Sequence, residues 1–271
     1  MARFRVKKHL YLGNISKVFE SNYRGRSIVI KKYFKEKAEE FIREKHVLRS
    51  ADHENIIKPV FFGRSKTLGF DYLGTSLDLA ISSNTLSSSS IDSISLQIVN
   101  AIGYLHIRSI IHFDLKPSNI LYTHGKIKLI DFGSAKFYNE SIKFYDFTNS
   151  YSSLEYLLGY RCAHPCKDMW SFGCILYELI SGTQLFEGES SISIILQILR
   201  TFGSPRNYEN MELRHTQIIN INNYEPLDFE SKFKEIDGKY LELITALLEL
   251  NPENRIDAPK ACKMLKNISL R

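Results

Sequence analysis

The chain has few cysteines and lacks any apolar run long enough to cross a membrane. Its 4 cysteines among 271 residues form no C-x-x-C pair, which favours free thiols in a reducing compartment over a disulfide framework. Residues 1–8 are basic and contain no apolar signal core, so secretion is not expected. We expect a cytoplasmic or nuclear protein, or one found in both, with no membrane partner.

Charge of one sign is not concentrated anywhere in the sequence. The 36 Lys and Arg residues exceed the 30 Asp and Glu residues by a net charge of +6, and the basic residues are scattered. This pattern favours a solvated surface over a nucleic-acid-binding stripe, so no nucleic-acid partner is expected. Hydrophobic content of 44% is ordinary for a globular protein, and the length suits one large domain or two lobes.

Residues 1–72 predict strands around one helix. Short β-branched or aromatic runs at 18–19 and 28–30 flank the turn-rich segment 21–25, which is typical of a hairpin. Residues 36–49 have helical spacing, with a stripe that includes Phe41 and Lys45 and with Glu44 beside it. Strand character returns near 61–63 and 68–70.

The remainder, residues 73–271, predicts a mainly helical part. Residues 82–90 are Ser-rich and predict a loop. Helices are expected around 94–105, 169–180, 191–202 and 239–250, and a strand at 127–130. A small β-rich lobe joined to a larger helical lobe leaves a cleft, where ligands commonly bind.

Residues 112–119 read His-Phe-Asp-Leu-Lys-Pro-Ser-Asn, and residues 131–133 read Asp-Phe-Gly. Asp114 can accept the proton of a hydroxyl, and Lys116 can neutralise a moving phosphoryl group. Asn119 and Asp131 offer oxygen ligands to Mg²⁺. This order of groups predicts phosphoryl transfer from ATP.

Two further charged residues fit the same chemistry. Lys31 ends the predicted strand at 28–30, where its ammonium can reach ATP phosphates. Glu44 lies on the predicted helix that follows and can hold Lys31 in place. A lysine and a glutamate at this spacing are, by themselves, more often a surface salt bridge. Because this pair occurs in the same sequence as Asp114, Lys116, Asn119 and Asp131, a chance occurrence is a poor explanation.

The sequence resembles the eukaryotic protein kinases over nearly its whole length. Ile-Val-Ile-Lys at 28–31 is similar to their Val-Ala-Ile-Lys, and Asp-Met-Trp-Ser-Phe-Gly at 168–173 is similar to their Asp-x-Trp-Ser-x-Gly. The resemblance implies that Asp168 braces the catalytic loop and that Arg255 pairs with Glu155 at the end of the activation segment. It implies a two-lobed α+β kinase fold in one domain, 1–271, with an N-lobe at 1–72 and a C-lobe at 73–271.

Lys116 in Asp-Leu-Lys-Pro-x-Asn resembles serine/threonine kinases. Asp-Phe-Gly-Ser-Ala-Lys at 131–136 and Phe-Gly-Ser-Pro at 202–205 are similar to the glycogen synthase kinase (shaggy) branch of the CMGC group. Cyclin-dependent kinases and the other Asp-Phe-Gly-Ser-Ala kinases are close alternatives. The resemblance implies protein substrates, ATP and Mg²⁺, and a possible regulatory or scaffold protein as partner. In the ATP pocket, Phe70 would be the gatekeeper. The implied pocket residues are Leu12, Gly13, Val18, Lys31, Glu44, Phe70, Asp71 and Leu73.

The glycine-rich loop of the family is incomplete. Only Gly13 survives, and Val18 follows it five residues later where the family spacing is seven. Glycines there let backbone amides approach phosphate closely. We therefore expect weaker ATP binding than in a kinase with the full loop.

Phe113 replaces the arginine that usually precedes the catalytic aspartate. In the kinases that the chain resembles, that arginine binds a phosphate. In the shaggy branch the phosphate pocket has three cations, and the resemblance implies that Arg43 and Lys136 match the other two. Because the segment from Phe137 to Tyr151 is rich in aromatic residues, one hypothesis is that it packs by apolar contact near Phe113, without a phosphate clamp. The alternative is a variable loop that accumulated aromatics. Tyr145 lies where shaggy-type kinases carry an activating phosphotyrosine.

The sequence thus predicts a serine/threonine protein kinase with a signalling or cell-cycle role. The alternative is a pseudokinase scaffold with weak or no catalysis, which the incomplete loop and Phe113 favour. The groups that would touch metal, proton or phosphate are all present, so activity is the stronger prediction.

Overall fold

The computed structural model describes residues 5–84, 86–142, 149–188, 190–205 and 224–269. Five antiparallel strands form a sheet in the N-terminal part, in the order β1-β2-β3-β5-β4. These strands are β1 Lys8–Leu12, β2 Ser16–Tyr23, β3 Arg26–Tyr33, β4 Pro59–Gly63 and β5 Thr67–Asp71. The predicted small β-rich lobe is therefore confirmed.

The hairpin between β2 and β3 is tighter than predicted. Strand β2 continues to Tyr23, which pairs with Arg26, so only Arg24 and Gly25 form the turn. Both have positive φ, 50° and 80°, the conformation of a two-residue turn whose twist matches the strands. The prediction of a turn over 21–25 was therefore too long.

Helix α1, Ala38–Ser50, packs against this sheet. Its buried face consists of Phe41, Glu44, Val47 and Leu48. Glu44, predicted beside the apolar stripe, lies within it at 1% exposure. A buried carboxylate needs partners, and those partners define the site below.

The larger lobe is mainly helical, as predicted. Its short strands are β6 Thr75–Ser76, β7 Ile110–Ile111, β8 Ile120–Thr123, β9 Lys126–Leu129 and β10 Lys136–Phe137. Its helices are α2 Leu77–Ser82, α3 Ser88–Ile107, α4 Leu154–Leu157, α5 Cys166–Ser181, α6 Ser191–Phe202, α7 Phe229–Phe233, α8 Gly238–Leu247 and α9 Ala258–Ser269. No helix in the described ranges is both long and apolar enough to span a membrane.

The Ser-rich loop predicted at 82–90 is shorter in the structure. Ser82 ends α2, and α3 begins at Ser88 because Ser87 caps it, accepting a hydrogen bond from the Ser90 amide at 3.2 Å. Serine is a favoured helix cap, which is why a Ser-rich run can start a helix.

Helix α5 runs through the centre of this lobe. Trp170, Phe172 and Ile175 are fully buried on it, and α3 and α8 pack beside it. The helix begins near Asp168, so a rigid, buried element supports the start of the candidate site.

Candidate active site

The candidate catalytic loop follows β7 and is fixed to helix α5 by Asp168. This fully buried carboxylate accepts hydrogen bonds from the backbone amides of His112 at 2.8 Å and Phe113 at 2.9 Å. His106 Nε2 lies 3.0 Å from the same carboxylate. Burial alone would raise the pKa of Asp168, but the contact with His106 and the other nearby donors lower it. The geometry is that of the brace implied by the resemblance.

Asp114 lies between two donors. Lys116 Nζ is 3.0 Å from Asp114 Oδ2, and the side-chain amide of Asn119 donates to the same oxygen at 2.9 Å and to the Asp114 carbonyl at 2.8 Å. The 3₁₀ turn Pro117–Asn119 brings Asn119 back to the loop. A carboxylate held in this way can accept a proton from a substrate hydroxyl.

Asn119 and Asp131 stand at the same end of the β8–β9 hairpin. Ile120 pairs with Leu129, and the Ile130 amide donates to the Asn119 carbonyl at 3.0 Å. Because the Asn119 amide nitrogen faces Asp114, its oxygen is the atom turned away. This amide oxygen and the Asp131 carboxylate are ligands of the kind Mg²⁺ prefers, so the residues present fit that ion.

Lys31 links the two lobes through two carboxylates. Its Nζ lies 2.9 Å from Glu44 Oε2 and 2.8 Å from Asp131 Oδ1. Burial would lower the pKa of Lys31, but Asp131 and Glu44 together raise it well above its ordinary value. Conversely, burial would raise the pKa of Asp131, and the charge of Lys31 lowers it. Both side chains are therefore ionised at neutral pH.

The predicted ATP-pocket residues fall on the sheet and on the segment after it. Val18 pairs with Lys31, and Phe70 pairs with Val29, so these side chains share one face of the sheet. Phe70 is 6% exposed and packs in the hydrophobic core, so its role as gatekeeper stays a prediction. Asp71 ends β5 and is exposed, and Leu73 packs against the core.

Leu12 differs from its predicted place. The register pairs Tyr11 with Val18 and Leu12 with Lys17, after an irregularity between His9 and Tyr11. Tyr11 is therefore on the face shared by Val18 and Lys31, whereas Leu12 is on the opposite face and is 75% exposed. The irregularity shifts the alternation of side chains in β1 by one residue, which moves Leu12 away from the face of Val18.

The turn after β1 is short. The Gly13 amide donates to the Ser16 carbonyl at 3.0 Å, so a tight turn joins β1 to β2. A Cβ added at Gly13 would lie 2.5 Å from the Tyr11 ring. This turn has little room for the several backbone amides of a full phosphate-binding loop.

Glu155 and Arg255 form a buried, two-pronged ion pair. The two guanidinium nitrogens lie 2.7 and 3.1 Å from the two carboxylate oxygens. Arg255 also donates to the carbonyl of Cys166, at the start of α5, at 3.0 Å. The structure thus brings together the pair that the resemblance implies, and it anchors the end of the activation segment to the helical lobe.

Phe113 is fully buried, with φ of 71°. It packs in a cluster with Ile111, Ile142, Tyr156, Ala163 and Cys166. The Tyr156 ring meets it edge-on, with centroids 5.5 Å apart. The segment does contact Phe113 by apolar packing. The contact is made by Ile142, which lies within that segment, and by Tyr156, which follows Glu155; neither is among the aromatics that suggested this contact.

Those aromatics are placed elsewhere or lie outside the described residues. Phe137 and Tyr138 are 37% and 48% exposed, and the Tyr151 hydroxyl donates to Glu178 at 2.6 Å. Phe144, Tyr145 and Phe147 lie outside the described residues. The candidate phosphotyrosine at Tyr145 therefore stays a prediction.

Glu140 is a carboxylate that the sequence analysis missed, and, against the effect of burial, the charges of Arg43 and Lys136 both lower its pKa. Arg43 donates to Glu140 at 2.8 Å. Burial would raise the pKa of Glu140, but its bond to Arg43, the Phe137 amide and the charges of Arg43 and Lys136 lower it. Glu140 thus pairs with Arg43, one of the two predicted phosphate-binding cations.

Two other residues near the site were missed. Tyr33 donates a hydrogen bond to Glu44. Its place two residues after Lys31 on one strand was the available signal. Lys167 is 2% exposed, and its Nζ lies 3.2 Å from the Tyr151 carbonyl and from the Ser171 hydroxyl. A lysine beside Asp168 at the start of an apolar helix gave no comparable signal.

Comparison with known proteins agrees with this geometry. The family model for the protein kinase domain matches residues 4–265. "Cyclin-dependent kinase 11" of Dictyostelium discoideum is 33% identical over an alignment 236 positions long, which covers 82% of this chain and 66% of that protein. "Cyclin-dependent kinase 7" of Caenorhabditis elegans is 29% identical over an alignment 283 positions long, gaps included, which covers 97% of this chain and 86% of that protein. The chain therefore belongs to the protein kinase family.

Proposed function

We propose that this protein is a serine/threonine protein kinase that transfers the γ-phosphoryl group of ATP to protein hydroxyls. The observation that carries the proposal is the Lys31 ammonium, held between Glu44 at 2.9 Å and Asp131 at 2.8 Å. This arrangement joins the two lobes by an ion pair and holds in place the cation that would meet ATP phosphates.

The residues divide the work by their chemistry. Asp114 accepts the proton of the attacking hydroxyl, and Lys116, 3.0 Å away, offsets the negative charge of the moving phosphoryl group. Asn119 and Asp131 would hold Mg²⁺, which neutralises charge on the β- and γ-phosphates when bound. Val18, Phe70 and Leu73 would enclose the adenine, with the backbone at 71–73 bonding its edge.

The two relatives support a kinase group and a broad cellular role for this chain. Both are cyclin-dependent kinases by name, which supports a place in the CMGC group and a cell-cycle or signalling role. The chain spans 66% of the length of the Dictyostelium relative. A regulatory or scaffold protein is the partner we propose. The shaggy branch rests on residues 131–136 and 202–205 alone.

The lobe boundary and location are part of the same proposal. We place the N-lobe at 1–72 and the C-lobe at 73–271, because the sheet ends at Asp71 and β6 begins at Thr75. The proposed location is cytoplasmic, nuclear or both.

A pseudokinase is the second candidate, and the short turn at Gly13 is the observation that favours it. Loss of phosphate-binding amides weakens nucleotide affinity. It does not remove Asp114, Lys116, Asn119 or Asp131. Activity with weakened ATP binding is therefore the better-supported reading.

The decisive experiment is transfer of radiolabelled phosphate from ATP to a generic protein substrate. Wild type should label the substrate on Ser or Thr. Asp114→Asn should lose about 100-fold or more of the rate, as expected for removal of a general base. Glu253→Gln, a variant at an exposed position, is the control for the effects of mutation and purification, and its rate of phosphate transfer should equal that of wild type. Equal labelling by wild type and Asp114→Asn, or none by wild type, would refute the enzymatic proposal.

A further inference from the structure

Tyr33 stands beside the Lys31–Glu44 pair and has no role in the scheme above. It ends strand β3 and is 3% exposed. Because side chains alternate along a strand, Tyr33 and Lys31 project from the same face. The Lys31 ammonium lies 4.9 Å from the centre of the Tyr33 ring, and the ring meets Phe41 of helix α1 edge-on at 5.7 Å.

The Tyr33 hydroxyl donates a hydrogen bond to Glu44 Oε2, the oxygen that also faces Lys31. The other oxygen, Oε1, accepts the Phe132 amide at 3.2 Å. Glu44 thus receives an ammonium, a phenol and a backbone amide. The first two come from β3 and the third from the segment that carries Asp131.

The charges in this cluster explain why a neutral donor is useful. Glu44 and Asp131 bring two negative charges to one ammonium in a buried region. Because one ammonium serves both carboxylates, Glu44 needs further donors, since a buried carboxylate without donors is costly. Burial and the charge of Glu44 raise the pKa of Tyr33 well above its ordinary value, so the phenol keeps its proton.

We propose that Tyr33 is a positioning residue, whose hydroxyl holds Glu44 and helix α1 in the place from which Glu44 orients Lys31 toward nucleotide. The inference rests on the proposed function. It means that the position of α1 against β3 is fixed in part by a hydrogen bond within the chain.

The test is Tyr33→Phe, which removes the hydroxyl and keeps the ring. Tyr177→Phe is the matched control, because Tyr177 is also buried, at 7% exposure, and its hydroxyl donates to the distant Lys232 carbonyl at 3.2 Å. We measure the KM for ATP, kcat, the affinity for MgADP and the Tm of both variants.

Tyr33→Phe should raise the KM for ATP and weaken MgADP binding by about tenfold, near the lower end of the effect of one lost bond to a charged group. Its kcat should fall less, and its Tm should move no more than that of Tyr177→Phe. In a Glu44→Gln background, removal of the hydroxyl should change MgADP affinity little further, since the charge it serves is gone.

Equal nucleotide parameters for Tyr33→Phe and Tyr177→Phe would overturn the inference, as would an undiminished effect in the Glu44→Gln background. A wild type that binds MgADP but transfers no phosphate would refute the proposed function alone, and the MgADP titration would still decide the role of Tyr33. A wild type that binds no nucleotide would overturn both.

Discussion

Arg43 of helix α1 and Glu140 of the activation segment, 97 residues apart in sequence, are joined by a hydrogen-bonded ion pair of 2.8 Å. Glu140 also accepts the Phe137 amide at 3.0 Å. A carboxylate therefore meets the cation that the family resemblance assigns to a regulatory phosphate. The contact ties the activation segment to the helix that carries Glu44.

From this contact we expect activity without phosphorylation of the activation segment. Phosphatase-treated wild type should keep its rate, because Glu140 supplies the negative charge in the chain itself. Glu140→Gln should lower kcat/KM by up to about fivefold, the upper effect of a partly exposed ion pair. Initial rates of wild type before and after phosphatase treatment measure the first effect. The kcat/KM of Glu140→Gln, compared with that of wild type, measures the second.

Glu230→Gln, an exposed glutamate on α7, is the control and should behave as wild type. A wild type inactivated by phosphatase, with Glu140→Gln fully active, would contradict the role of Glu140.

Phe113→Ala should destabilise the protein by about 3–5 kcal/mol, because it empties a fully buried site packed by Ile142 and Tyr156. Phe113→Arg should destabilise it at least as much, since the new cation would be buried among apolar groups. Denaturant unfolding measures the free energy.

Phe137→Ala is the comparison, because Phe137 is 37% exposed and its loss should cost far less. A Phe113→Ala or Phe113→Arg variant with wild-type stability would contradict the structural role of the apolar cluster.

Because of Asp168, the free energy of unfolding should fall as the pH is lowered into the acid range. Its pKa in the folded protein is lowered, against the effect of burial, by His106 and the amides it accepts. Its contribution is therefore present above the unfolded pKa of about 4 and is lost as pH falls through the lower folded pKa. Asp168→Asn should lose about 2–4 kcal/mol at pH 7, where bonds to the charge are broken.

Unfolding of wild type and Asp168→Asn between about pH 3 and pH 7 tests this, with the exposed Glu253→Gln as reference. The gap between wild type and Asp168→Asn should be widest near neutrality and should narrow in acid. A gap that grew as the pH fell would show the sign to be wrong.

The short turn at Gly13 should weaken nucleotide binding. We expect a KM for ATP in the upper part of the roughly 1 μM–1 mM range of enzymes, because a tight turn presents few amides to phosphate. Titration with ATP measures it. Replacing residues 13–16 with a full Gly-x-Gly-x-x-Gly loop should lower the KM, whereas an equally long loop without glycine should not. Low-micromolar binding by wild type would contradict the expectation.

Local motifs could be predicted from the sequence because their residues are close along the chain and belong to a rigid element. The span from His112 to Asn119 is one loop with its own hydrogen bonds, such as Asn119 to Asp114 at 2.8 Å. Helix α6 was predicted with its observed bounds, Ser191–Phe202, since apolar periodicity and a serine cap both act within a few residues.

The register of strands and the geometry of turns were harder to predict from the sequence. The irregularity between His9 and Tyr11 moved Tyr11 to the face expected for Leu12. Helix α9, Ala258–Ser269, was not predicted at all. It packs on α3, so its burial depends on a partner far away in the chain.

The sequence by itself determined the protein kinase family and the order of its candidate catalytic groups, because spacing within a loop fixes which side chains stand together. Only the tertiary structure brought Lys31 to Asp131, 100 residues away, placed Glu140 on Arg43 and turned Tyr33 toward Glu44. These contacts join separate elements, and their existence depends on how the two lobes and the activation segment pack, which no local pattern encodes.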